Sequence, residues 1–328
     1  MDAPVLQVRN LTTRFQFGKK IYTVVDDLCL DLYKGKTLAL VGESGCGKTI
    51  TALSLLKILP NPPALAPEGE VIYQGQNLLQ FSESKLRQIR GSKIAMIFQD
   101  PSSSLNPVYT IGNQLEEVLD IHMRLSGARA AEKIRQALVE VGINNPDVCM
   151  EAYPHQLSGG MKQRAMIAMA LLCEPDILIA DEPTTALDVT IQAQVLHLMR
   201  TLQKKKQMAI LLITHDMGVV AEMADEVIVM YATQKIEEGR CRQVLQATGH
   251  PYTQGLLHSL PASGSPKTYL PTIKGTVPPI TDLPSGCYFH PRCPYAMEIC
   301  KHGKVPYFPG KESSQQVKCW LFDASAHT

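Results

Sequence analysis

The sequence predicts an α/β protein with a parallel-sheet core, an antiparallel β start, a helical insertion and a small irregular Cys-rich C-terminal extension. Three observations carry this. Short apolar runs at residues 176–180, 209–214 and 226–231 are separated by stretches long enough for helices, the alternation expected of parallel crossovers. An apolar run at 37–41 ends in glycine and precedes the apolar stretch 51–59. From residue 261 to 309 prolines and glycines are frequent and helical periodicity is lost.

Taken in order, residues 5–32 alternate apolar and polar around Gly18, which predicts an antiparallel, hairpin-rich start, and 37–41 is a buried strand. Between residues 109 and 143 the period changes. Leu115, Val118, Leu119 and His122 share one helical face, and Ile134, Leu138 and Val141 share another, which places a helical insertion at about 100–165. The domain reading is a core over 5–240 and an extension over 241–328.

A chain of 328 residues suits one large domain plus an appendage. Lys and Arg number 32 against 31 Asp and Glu, a formal charge of +1, so no general field attracts nucleic acid or an anionic membrane. No apolar run approaches the roughly 20 residues that span a bilayer, and the first ten residues lack a basic region followed by an apolar one. A soluble, non-exported protein is expected, with any polyanion held locally. Nine cysteines, an odd number, argue against a disulfide framework.

The string Gly42-Glu43-Ser44-Gly45-Cys46-Gly47-Lys48-Thr49 fits G-x-x-x-x-G-K-[ST] between the predicted strand and helix. In such a loop backbone N–H groups turn inward around phosphates, the helix start adds positive partial charge, and Lys48 reaches the β and γ oxygens. Thr49 would give its hydroxyl to Mg²⁺. Cys46 lies near a helix N-terminus that should favour its thiolate, so it is expected to be a probe of the site, with an inert small residue as the plainer reading.

The run Ile177-Leu178-Ile179-Ala180-Asp181-Glu182 is a buried strand ending in two carboxylates, where a parallel sheet presents its ligand edge. Asp181 would hold the magnesium shell, and Glu182, one residue on, is the candidate general base for a water aligned with the γ-phosphate. Two acids at a strand end are more often a cap or surface pair; the upstream phosphate loop reverses that preference. A third strand ends in Thr214-His215-Asp216, where a neutral imidazole is able to hydrogen-bond the γ-phosphate.

A phosphate loop plus an acidic strand end defines only the broad P-loop NTPase class. The string Leu157-Ser158-Gly159-Gly160-Met161-Lys162-Gln163-Arg164 is narrower: it is similar to the signature of ATP-binding-cassette (ABC) proteins. Ser158, Gly159 and Gly160 at a helix start make a second phosphate cradle. In that family the cradle faces the ATP held by a partner subunit.

Over residues 6–239 other family elements follow in order. Gln99 in Ile97-Phe98-Gln99-Asp100-Pro101 looks like the lever glutamine, Ala186-Leu187-Asp188 like the dimer-contact loop and His215 like the switch histidine. The resemblance implies a RecA-like core, an ATP site drawn from residues 42–49 with Thr51, Gln99, Asp181 and the signature, Mg²⁺ on Thr49, Gln99 and Asp181, and an aromatic residue on adenine. Phe15 fits that last position better than Tyr22; ordinary strand packing is the alternative for either ring.

Longer strings, Leu105-Asn106-Pro107, Tyr153-Pro154-His155-Gln156 and His250-Pro251-Tyr252-Thr253, resemble the peptide and nickel uptake group. The resemblance implies an ATPase subunit that energises import of dipeptides or oligopeptides from the cytoplasmic face of a bacterial inner membrane. Its partners would be two membrane permease subunits, a second related ATPase subunit and an external peptide-binding protein, with no nucleic acid. Import of nickel or another small solute is the alternative. A non-transport ABC ATPase of DNA repair or translation is disfavoured by the charge balance. One departure is Thr233, where relatives usually carry glycine.

Cys287, Cys293, Cys300 and Cys319 are separated by five, six and eighteen residues. Four thiolates are able to bind zinc or ligate a cubane cluster. The absence of a C-x₂₋₄-C pair weighs against zinc. The segment is similar to the C-terminal extension of peptide-permease ATPases, which implies a [4Fe-4S] cluster; four reduced, unliganded thiols are the alternative.

Overall fold

The structure is a computed structural model that describes residues 3–185, 187–259, 272–312 and 314–323. Its strands in chain order are β1 (Leu6–Phe17), β2 (Lys20–Leu32), β3 (Thr37–Val41), β4 (Glu68–Tyr73), β5 (Gln76–Asn77), β6 (Ile94–Ile97), β7 (Ile177–Asp181), β8 (Ala209–Thr214), β9 (Glu226–Tyr231), β10 (Gln234–Arg240), β11 (Phe308–Pro309) and β12 (Gln316–Val317). The helices are α1 (Lys48–Leu55), α2 (Glu83–Ile89), α3 (Pro101–Ser104), α4 (Ile111–Met123), α5 (Gly127–Glu140), α6 (Pro146–Glu151), α7 (Gly159–Leu171), α8 (Val189–Lys206), α9 (Met217–Met223), α10 (Cys241–Gln246) and α11 (Pro251–His258).

The chain divides into two compact units, and β8 passes from one into the other. The first comprises Met1–Val5, Leu32–Lys36 and Gln80–Leu212. In it β6 and β7 pair in parallel, Ile94 opposite Ile177 and Ile97 opposite Ala180. All five residues of β7 are buried, as a strand covered on both faces requires. The helical insertion supplies α4 to α7. Leu115 and Leu119 form the buried stripe of α4, and Ala130, Ile134 and Leu138 that of α5, each at a spacing of four. Thr110 caps α4 by accepting from the Asn113 N–H, and Ser158 caps α7 by accepting from the Met161 N–H.

The second unit comprises Leu6–Asp31, Thr37–Leu79 and Ile213–Thr328. Its antiparallel sheet has the order β2-β1-β4-β5, with Leu6 opposite Tyr73. A second set of strands begins with β3 parallel to β9, Leu38 opposite Glu226 and Val41 opposite Val229. β9 turns antiparallel into β10 through Ala232 and Thr233, both left-handed at φ 41° and 77°. The turn's geometry explains why glycine suits this position; here threonine carries the strain, and its buried hydroxyl has no hydrogen-bond partner.

The segment expected as a separate, irregular extension lies within this second unit and continues its strands: β12 pairs with β10, and β11 with β12. Tyr231, Tyr252 and Phe289 close the core beneath it, ring centroids 4.7 to 5.5 Å apart. Glu237 of β10 is fully buried and accepts from the Gly249 N–H, the His250 N–H and Gln315 Nε2 at 2.8, 3.0 and 2.6 Å. One carboxylate therefore ties β10 to the start of α11 and to the approach to β12.

Glu237→Ala leaves the buried Gly249 and His250 N–H groups without an acceptor and Gln315 Nε2 with only the Ala247 carbonyl, so a loss of about 3 kcal/mol is expected. Thermal unfolding of the purified chain checks this; a melting temperature equal to that of the parent would contradict the assignment.

Candidate functional site

Each unit carries its own part of the expected site. In the second, β3 is buried along its whole length and delivers the chain to Gly42. A Cβ on Gly42 would collide with the Met230 carbonyl oxygen and the Cys46 sulfur, so the loop's first residue admits no side chain. Gly47, at φ 105°, turns the loop into α1. Lys48 is 5% exposed, and its Nζ donates to the carbonyls of Gly42 and Glu43 at 2.7 and 3.0 Å. The ammonium is thus tethered across the loop, whose Ser44, Gly45 and Thr49 are exposed.

Three expected members of this loop are placed differently. Thr51 is buried, and its hydroxyl donates back to the Gly47 carbonyl at 3.0 Å, inside the first turn of α1. Glu43 donates its N–H to Tyr252 Oη at 2.8 Å, and its carboxylate accepts from Arg292 Nη1 and Nη2 at 2.8 and 3.1 Å, so it walls the loop. Cys46 is corrected more strongly. It is wholly buried, and desolvation pushes its thiol up against the opposing pull of the Lys48 ammonium, so the expected thiolate is not favoured.

His215 stands exposed just past the end of β8, and Asp216 caps α9 by accepting from the Gly218 and Val219 N–H groups. Phe15 is half-buried and lies edge-on to the exposed Phe17, which in turn lies 6.2 Å from Tyr22. Three rings therefore share the end of the β1–β2 hairpin, and Phe17 is one that the sequence reading did not single out.

In the first unit, Gln99 follows β6 and Glu182 follows β7. Gln99 Nε2 donates to Glu182 Oε2 at 2.9 Å, and the Thr185 hydroxyl donates to the same oxygen at 2.9 Å. Glu182 is left-handed at φ 45°, a strain of about 1–3 kcal/mol for a non-glycine residue. Two neutral donors and a strained backbone fix one carboxylate oxygen at the strand tip, beside the buried Asp181. Thr185 was missed because a hydroxyl three residues from an acid leaves no mark in the sequence.

Gly159 is exposed at the start of α7, and a Cβ there would meet nothing among the described residues, so no packing among them requires a glycine. Gln163 is buried and donates to the Pro183 carbonyl at 2.6 Å, joining the signature helix to the turn after Glu182. In the expected dimer-contact loop, Ala186 lies outside the described residues, and Asp188 caps α8 by accepting from the Ile191 N–H at 2.9 Å.

The four C-terminal cysteines line one small cavity, together with His250 and Trp320. Burial pushes the Cys287 thiol up, Cys293 up to about 11 and Cys319 up to about 12. His250 caps α11 through Nδ1, and complete burial pushes it down to about 3, so the ring is neutral with its proton on Nε2. That Nε2 and Trp320 Nε1 are buried without a hydrogen-bond partner. Four soft donors and two orphaned N–H groups around one cavity suit an iron–sulfur cluster in chemistry. Among the described residues, however, no group of three or more His, Cys, Asp or Glu is arranged to hold a metal ion.

Residues 25–185 match the ABC transporter family, and residues 236–300 match the oligopeptide/dipeptide transporter C-terminal region. The chain is 46% identical to the dipeptide transport ATP-binding protein DppD of Bacillus subtilis over 325 residues, 98% of this chain and 96% of that protein. It is also 46% identical to the oligopeptide transport ATP-binding protein AppD of the same organism over 319 residues, 97% of each. Among solved structures it is similar to the ATP-binding cassette MJ0796, a dimer in a post-hydrolysis state bound to ADP and Pi, with 26% identity, a TM-score of 0.64 and coverage of 72% of this chain and 99% of that one. A match over nearly the whole length of both relatives, with both family regions present, shows that the chain belongs to the ABC transporter ATPase family, in the branch that carries the oligopeptide/dipeptide transporter C-terminal region.

Proposed function

We propose that this chain is the ATP-hydrolysing subunit that energises uptake of dipeptides or oligopeptides through a membrane permease. The observation that carries this reading is the end-to-end likeness to DppD and AppD, which includes the C-terminal region as well as the cassette. Among the described residues no helix is long and apolar enough to cross a membrane, so separate membrane subunits must supply the path. In this reading the chain sits peripherally on the cytoplasmic face of the inner membrane. It works with two permease subunits, a second related ATPase subunit and an external peptide-binding protein.

ATP would lie with its phosphates on Gly42 to Thr49 and its adenine on the rings of Phe15, Phe17 and Tyr22. Lys48, released from its two carbonyl acceptors, takes the β and γ oxygens. Thr49 would give its hydroxyl to Mg²⁺, which when bound would neutralise charge on those oxygens, and Asp181 and Gln99 are the first unit's own candidate Mg²⁺ ligands. Glu182, with one oxygen fixed by Gln99 and Thr185, takes the proton of the attacking water, and His215 contacts the γ-phosphate. The Ser158-Gly159-Gly160 cradle, exposed at Ser158 and Gly159, would serve the ATP of the facing subunit, so that binding closes the pair and hydrolysis reopens it.

Glu182→Gln is expected to keep ATP binding and lower turnover about 10²- to 10³-fold, trapping the closed pair. Normal turnover removes Glu182 from the base position. In cells lacking the native chain, the parent gene should restore uptake of a radiolabelled dipeptide and Lys48→Ala should not. Restoration of nickel uptake with peptide uptake unchanged would transfer the reading to a metal importer.

The cysteine cavity is proposed to take a [4Fe-4S] cluster, on the chemistry of its donors; their thiols would have to converge and ionise on assembly. Anaerobic purification should then yield about four irons and about four sulfides per chain. Stoichiometric zinc, or no metal at all, would overturn the cluster and leave the ATPase reading intact.

A further inference from the structure

We propose that Arg292 is a positioning residue for the phosphate loop, and that through it the cysteine-bearing segment sets the loop's affinity for ATP. This rests on the loop being the ATP site. Arg292 stands immediately before Cys293, on the turn that starts at Cys287, yet its guanidinium reaches Glu43, 249 residues earlier in the chain.

Every N–H of the guanidinium has an acceptor. Nε donates to the Lys274 carbonyl at 2.9 Å. Nη1 donates to Glu43 Oε2 at 2.8 Å and Tyr231 Oη at 3.4 Å, and Nη2 to Glu43 Oε1 at 3.1 Å and the Gly275 carbonyl at 3.2 Å. The side chain is 5% exposed and lies 5.7 and 6.0 Å from the Tyr231 and Phe289 rings. A five-donor fork set among five acceptors is a fit that a lysine cannot reproduce.

Glu43 is held at both ends of the residue. Arg292 fixes its carboxylate, and Tyr252 Oη accepts its N–H at 2.8 Å. The same residue's carbonyl accepts from Lys48 Nζ at 3.0 Å. A loop whose second residue is immobilised loses less freedom when phosphates arrive, so the pair acts on ATP affinity more than on the chemical step.

The cysteine segment sets where Arg292 stands. The Cys287–Cys293 turn is closed by hydrogen bonds from the His290 N–H to the Cys287 carbonyl, from Arg292 to Phe289 and from Cys293 to His290. The Cys287 N–H donates to the Cys300 carbonyl at 2.8 Å, which extends the same support to a third cysteine. Phe289, on this turn, also packs against Tyr252. Disturbing the cysteines therefore moves both groups that hold Glu43.

The test is steady-state ATPase kinetics of the full chain, with melting curves for each variant. Arg292→Ala should raise the KM for ATP about tenfold while kcat changes by less than about twofold, and Arg292→Lys should recover only part of the loss. The reversed pair Arg292→Glu with Glu43→Arg should lower KM relative to either single change. Cys293→Ser should raise KM in the same direction, and adding it to Arg292→Ala should produce little further change.

A parental KM in folded Arg292→Ala overturns the proposal, and so do independent, multiplying effects of the Arg292 and Cys293 changes. If Arg292→Ala does not fold, a parental KM in Arg292→Lys overturns it instead. Lys48→Ala separates this outcome from failure of the underlying reading: loss of ATP binding there with a parental KM in the Arg292 variant defeats only the Arg292 link, whereas intact binding in Lys48→Ala defeats the ATP site itself.

Discussion

The close approach of the phosphate loop to β9 is the constraint on which the nucleotide-binding unit depends. Gly42 must lie against the Met230 carbonyl because β3 and β9 pair in parallel up to Val41 and Val229, immediately before the two chains diverge. Any side chain at Gly42 would drive the loop away from the strand and displace the Gly42 carbonyl, to which Lys48 is bonded. The turn after β9 reinforces the same contact, since the Thr233 N–H donates to the Cys46 carbonyl at 3.1 Å. Strand pairing, loop closure and lysine position are thus one mechanical unit, whose open N-terminal helix end is the natural seat of an anion.

Each unit places polar groups in its interior and satisfies most of them locally. Glu237 is met by three donors. Gln114 is buried, accepts from the Asn106 N–H and donates to the Asn106 and Tyr109 carbonyls, holding the entry to α4. Such networks are costly when partly broken, which makes them specify one arrangement of loops that carry little apolar surface. His250 and Trp320 are the contrast, each with a buried nitrogen left unpartnered beside the four cysteines.

Much of this was legible in the sequence because it is local. The buried run at β3, the glycines and Lys48 lie within twelve residues, and β8 and β9 end where their apolar runs end. The stripes of α4 and α5 follow a spacing of four, although Val118 and His122 are only half-buried. β4 escaped because Glu68, Gly69 and Glu70 are exposed, so its first half shows no apolar alternation. β10 escaped because its buried positions include Lys235 and Glu237, whose burial is tolerated only through partners elsewhere in the chain. Cys46 was misjudged because proximity to a helix start predicts a thiolate only where water or a cation outweighs burial. Arg292 and Tyr252 left no local signal, since their partner Glu43 lies more than 200 residues away.

In the proposed mechanism residues 42–49 hold the phosphates of ATP through backbone N–H groups and Lys48. Hydrogen–deuterium exchange of the purified chain, with and without ATP and Mg²⁺, reads those N–H groups directly. Strong protection of peptides spanning 42–49 on adding nucleotide, with the edge strands β11 and β12 unchanged, is the predicted result. Unaltered exchange in that loop at saturating ATP would rule out phosphate binding there.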